Sequence, residues 1–192
     1  MALSSTTWPR NGFTLVTRND NESYVRDYPA AASTNQPIAT GDAVCLLNGV
    51  IVPATAGQDP GLIPFGVVVG VLTSAGRPLT HQTSKIIASA GVGRVRVCYD
   101  PFAEYVVRCE TSVGPSNIGK PVVLTASGAN ATTGRSYQSV TIPGSASVGD
   151  MFKIVALSPF GELGGKDTGG GAGNGVVVRF NNHLFKFGTA GQ

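Results

Sequence analysis

The chain has 192 residues, a formal net charge of +3 and 13% charged side chains, a length that fits one domain or one domain with an arm. Its 42% apolar content is enough for a core and excludes a disordered polar chain. The charges are sparse and scattered with no basic run, which argues against nucleic acid as a partner. Such a surface, mostly Ser, Thr, Asn, Gly and backbone, suits contact with other protein.

Residues 1–40 read as an extended N-terminal arm and residues 41–192 as an all-β domain. "MALSSTTWPRNGF" has neither a charged start nor an apolar stretch, so it is not read as a signal peptide. Short polar clusters then separate isolated aromatics, with one short strand-like run, "FTLVTR" (13–18). An arm of this kind orders along a partner rather than on itself. Its aromatic anchors and one cation, Trp8, Arg10, Phe13, Tyr24 and Tyr28, are the partner-binding candidates.

From residue 41 the pattern is strands and turns. Twenty-six glycines and twelve prolines leave few windows in which a helix could run three turns. "AVCLLNGVIVPA" (43–54) predicts a hairpin with Asn48-Gly49 as its two-residue loop. "IPFGVVVGVL" (63–72) predicts one buried strand bent at Gly66 and Gly70. It is also the longest apolar segment, far short of the ~20 residues of a membrane helix, so no membrane partner is expected. "SKIIASAG" (84–91) predicts a further strand, and in "GRVRVCYD" (93–100) Val95 and Val97 alternate with Arg94 and Arg96. "EYVVRCET" (104–111) is expected to pair with that strand across the Asp100-Pro101 turn. Four more strands are expected in "KPVVLTA", "RSYQSVTI", "MFKIVALSP" and "GVVVRFNNHLFKF", with Phe152, Ile154 and Ala156 on one face and Val176, Val178 and Phe180 on another. Short strands at this spacing predict a β-sandwich or β-barrel of antiparallel strands.

Chemistry is hard to find along this chain. "GPSNIGKP" (114–121) matches a phosphate-binding loop until Pro121 replaces the hydroxyl that would meet magnesium, and the run after it is strand-like, so it reads as a turn. "GGKDTGGGAGNG" (164–175) contains Asp-Thr-Gly, but no apolar strand presents Asp167, and catalytic carboxylates need rigid support. It reads as a connecting loop. His81 and His183 lie far apart without metal-ligand spacing; His183 is expected to make a structural hydrogen bond and His81 to sit on a loop. The acidic cluster "NDNE" (19–22) lacks the spacing of a calcium loop. Cys45, Cys98 and Cys109 lie in apolar runs and read as buried free thiols. The chain is therefore expected not to be an enzyme, and to need no cofactor or metal.

Several stretches, taken in order, resemble a known group. "GDAVCLLNGVIVPATAG…IPFGVVVGVL", "YDPFAEYVVRCE…SNIGKPVVLTASGANATTGRSYQSV" and "VVVRFNNHLF…GTAG" are similar to capsid decoration, or cement, proteins and other virion structural proteins of tailed bacteriophages. The resemblance covers most of residues 41–192. It implies a protein made in the host cytoplasm that binds the outside of an assembled capsid, usually as a homotrimer, on the major capsid protein. Two alternatives stay open: a head-fibre base or tail component, and a carbohydrate-binding β-sandwich using Tyr99 or Tyr105.

Overall fold

The computed structural model describes residues 12–17, 24–32, 36–55, 63–73, 75–76, 86–88, 91–125, 129–130, 133–145, 151–158 and 174–185. The described chain is all-β, as the strand pattern predicts. Five strands, β2 (Val25–Ala31), β3 (Ala43–Leu47), β4 (Val50–Pro53), β5 (Pro64–Leu72) and β6 (Val92–Cys98), close a barrel in the order β2-β4-β3-β5-β6. The second half supplies β7 (Glu104–Cys109), β8 (Pro121–Leu124), the two-residue strands β9 (Ala129–Asn130), β10 (Arg135–Ser136) and β11 (Val140–Thr141), then β12 (Phe152–Leu157) and β13 (Asn174–Phe180). There the pairing runs β7-β11-β8-β12-β13 and returns from β13 to β7, so this sheet too comes full circle, with β1 (Thr14–Thr17) added beside β7. The hairpin β9–β10 stands apart from both.

Period-2 alternation explains how the two halves are joined. In the first barrel, Val44, Ile51, Phe65, Val68, Val71, Val95 and Val97 fill the interior. Their neighbours on the outward face, Ala43, Cys45, Val67 and Cys98, belong instead to the cluster that fills the second sheet, with Tyr105, Val107, Val122, Phe152, Ile154, Val178 and Phe180. Strands covered on both faces are apolar throughout rather than alternating, which is why "AVCLL" and "PFGVVVGVL" carry no polar face. By contrast β6, in which Arg94 and Arg96 alternate with the buried Val95 and Val97, has one wet face along that stretch. Arg96 there holds Asp27 of β2 through Nε at 2.8 Å and Nη2 at 3.2 Å, an exposed pair that adds little to stability.

Local turn chemistry behaves as read. Asn48 and Gly49 take φ of 50° and 80°, both left-handed, and Leu47 faces Val50 across them, the geometry of a tight hairpin. Gly66 is needed for close approach: a Cβ there would lie 2.4 Å from the Cys98 carbonyl oxygen and 2.6 Å from Val97 Cγ1. Because the first obstacle is backbone, it cannot rotate away. Gly66→Ala is expected to cost about 3 kcal/mol, the upper end of ordinary overpacking; a urea-unfolding midpoint equal to that of the parent would refute this.

The structure corrects four expectations. The boundary at residue 40 does not hold among the described residues, because β1 pairs with β7 and all seven residues of β2 pair with β6. "EYVVRCET" does not pair with β6. The Asp100 turn forms, with Phe102 N–H donating to Asp100 Oδ1 at 2.8 Å, but it sends the chain from the first barrel to the second, where β7 meets β1, β11 and β13. "SKIIASAG" contributes, in its described part, only an isolated bridge from Ile87 to Ile38. In β12 a register shift between Ile154 and Ala156 turns Ala156 away from Phe152 and Ile154, to join Val155, Val106 and Val177 in a small separate cluster; a bulge shifts facing by one residue.

Candidate functional site

The five residues singled out for partner binding separate on folding. Trp8 and Arg10 lie outside the described residues. Phe13 is 3% exposed and sits in the core, stacked on Phe152 at 4.6 Å and edge-on to Tyr105 at 6.3 Å. It is a structural residue, because a ring closed in on two sides by other rings cannot reach a partner. Tyr24 and Tyr28 lie on their own barrel, edge-on to Tyr99 at 5.8 and 6.3 Å, and are half-buried.

Those two tyrosines nevertheless belong to an aromatic face that the sequence does not announce. Tyr28 meets Phe65 edge-on at 5.1 Å, Phe65 stacks on Tyr99 at 5.6 Å, and Phe185 touches both at 5.9 and 6.0 Å. The segment after β13 is pinned there by Leu184 N–H donating to the Pro64 carbonyl at 3.0 Å and Phe185 N–H donating to His183 Nδ1 at 3.1 Å. His183 thus has the structural role expected of it. The outcome is a fixed ring, Phe185, that is 59% exposed above a buried Phe65. Burial raises the Tyr28 hydroxyl above its ordinary value, and the neighbouring Tyr99 adds to this while Arg26 opposes it, so Tyr28 is a neutral donor at physiological pH. Rings, phenol hydroxyls and the exposed Arg26 form a surface suited to contact with protein side chains.

The other candidates behave as follows. Cys45, Cys98 and Cys109 are buried thiols, and burial pushes the Cys109 thiol up, the setting of an inert thiol. "GPSNIGKP" folds as a short 3-10 turn, Pro115–Asn117, leading into β8. Tyr105 is 0% exposed, with burial raising its hydroxyl well above the ordinary value, so it cannot stack on a sugar. His81, Asp167 and "NDNE" lie outside the described residues, and among those described no group of three or more His, Cys, Asp or Glu is arranged to hold a metal. No family model and no curated protein matches this chain. Function must be read from its own surface and residues.

Two polar residues that sequence reasoning passed over hold the two halves together. Gln138, between β10 and β11, is 2% exposed; its Oε1 accepts from Ala43 N–H at 2.7 Å, and its Nε2 donates to the carbonyls of Ala54 at 3.1 Å and Ala43 at 3.4 Å. Its side-chain amide acts as a short extra strand at the end of the β3–β4 hairpin. Asp42, immediately before β3, is buried to the same degree. Nothing in "SYQS" marks its glutamine as a joint. For Asp42, a carboxylate directly before an apolar run was the available signal.

Proposed function

We propose that this chain is a virion structural protein of the tailed-bacteriophage type, which binds the outer surface of the capsid and stabilises it without catalysis or a cofactor. The observation that carries the reading is the contiguous aromatic face of Tyr24, Tyr28, Tyr99 and Phe185, with Phe185 exposed beside a closed barrel. A fixed aromatic ring over a buried one makes an anchor of little entropic cost. Support also comes from the ordered resemblance to cement proteins and from the sparse surface charge. In this reading the partner is the major capsid protein, the chain acts as a homotrimer, and many modest contacts add up over the shell. It is made in the host cytoplasm and resides on the exterior of the virion.

Shells lacking this protein should burst at a lower temperature than complete ones; equal bursting temperatures would sink the cement role. Labelling on particles then separates a shell-wide position from a single-vertex one, as a head-fibre base or tail part would show. Phe185→Ala should weaken attachment by at least about tenfold, the loss of one aromatic anchor, with unfolding unchanged. Attachment equal to the parent's would place the partner surface elsewhere.

A further inference from the structure

Three parts of the chain meet at residues 40–42. Phe13 N–H donates to the Gly41 carbonyl at 2.9 Å. The amides of Gly41 and Val68 bind β5 to this segment, each at 2.8 Å, to the carbonyls of Val68 and Asp42 in turn. On the third side Ser136 N–H donates to the Thr40 carbonyl at 2.9 Å, and Thr40 N–H to the Gly134 carbonyl at 3.1 Å, tying in the β9–β10 hairpin.

The Asp42 side chain lies at the centre of this joint. Oδ2 accepts from Ala39 N–H at 2.7 Å, while Oδ1 is buried and makes no hydrogen bond. The Ser136 hydroxyl lies close enough to favour the ionised carboxyl; its oxygen accepts Gln138 N–H at 2.9 Å, which leaves its O–H as the one side-chain donor beside Asp42. The surroundings offer little else. The hairpin contributes Arg135, which is exposed, beside Ser136; β3 contributes Cys45, which is buried; Val67–Val69 of β5, Gln36–Gly41 and Gly12–Phe13 contain no titratable side chain.

We propose that Asp42 is a proton-operated latch: protonated, it holds residues 12–13, β5 and the β9–β10 hairpin in one joint, and loss of the proton loosens that joint. The physical reason is the orphaned oxygen. A protonated carboxyl leaves only a neutral group to satisfy, whereas a buried carboxylate needs more donors than Ala39 N–H and the Ser136 hydroxyl provide. Burial accordingly pushes the Asp42 carboxyl from 3.8 up to about 7, with Ser136 and the Ala39 amide opposing the change. The folded protein thus keeps a proton that the unfolded chain has released. The stabilisation is complete below 3.8 and is lost as pH rises to about 7.

The test uses the full chain. The carboxyl carbon of Asp42, followed by NMR, should titrate near neutrality. Amide-exchange protection factors at Phe13 and Ser136 should fall at least about tenfold between about pH 5 and about pH 8, while Val107, within the β7–β13 ladder, holds. Asp42→Asn should abolish that fall. A carboxyl titrating at the ordinary aspartate value overturns the proposal, as does an equal fall in Asp42→Asn. Should the variant not fold, the carboxyl titration in the parent protein decides alone.

Discussion

A chain lacking residues 1–32 is expected not to fold, as judged by circular dichroism and by loss of a cooperative urea transition. This is the reverse of what an attachment arm would do. The deletion removes β2, one wall of a closed five-stranded barrel, and leaves the buried edge of β6 without its ladder from Val92 to Cys98. Buried backbone groups without partners cost about 1–3 kcal/mol each, and total stabilities of domains are only about 5–15 kcal/mol. The same deletion takes Phe13 out of the second core. Alone, Phe13→Ala should cost about 3–5 kcal/mol, the usual range for a buried phenylalanine, because Phe152 and Tyr105 lose the ring between them. A truncated protein with a parental spectrum and a cooperative transition would show that residues 1–32 are dispensable after all.

The second large effect is expected at Gln138. Gln138→Ala removes three hydrogen bonds to Ala43 and Ala54 and opens a cavity beside the cluster containing both residues. The Ala43 carbonyl keeps one donor, Ala54 N–H at 3.0 Å, but Ala43 N–H and the Ala54 carbonyl lose the partners that Gln138 supplies. Each unsatisfied buried group costs about 1–3 kcal/mol, so the two together with the cavity should cost at least about 4 kcal/mol. Gln138→Leu separates the contributions: it restores most of the volume and none of the hydrogen bonds. It should recover less than half of the loss measured for Gln138→Ala by urea unfolding. Full recovery with leucine would mean that Gln138 acts only as filler.

Side-chain alternation and turn chemistry were legible in the residues alone, because both are local. The Asn48-Gly49 hairpin, the Asp100 turn, the buried thiols and the shared face of Val176, Val178 and Phe180 follow from neighbours in sequence and are found in the structure. The aromatic face was half visible: Tyr24 and Tyr28 stood out, but Phe185 joins them only through contacts with Phe65 and Tyr99, more than eighty residues earlier. Strand pairing lay beyond reach for the same reason. Alternation says which side chains share a face and not which wall that face meets, so β6 and β7 looked like a hairpin while each closes a different ring. The N-terminal residues looked like an arm because their aromatics are isolated in sequence; Phe13 gains its stacking from rings at positions 105 and 152. What the residues determined by themselves was an all-β chain with two-sided apolar strands. Tertiary structure decided that those two sides belong to two neighbouring cores, and that Asp42 and Gln138, polar residues buried by partners distant in sequence, lie at the joint between them. Burial and hydrogen bonding at that joint depend on groups brought together from distant parts of the chain, and local propensity carries no record of them.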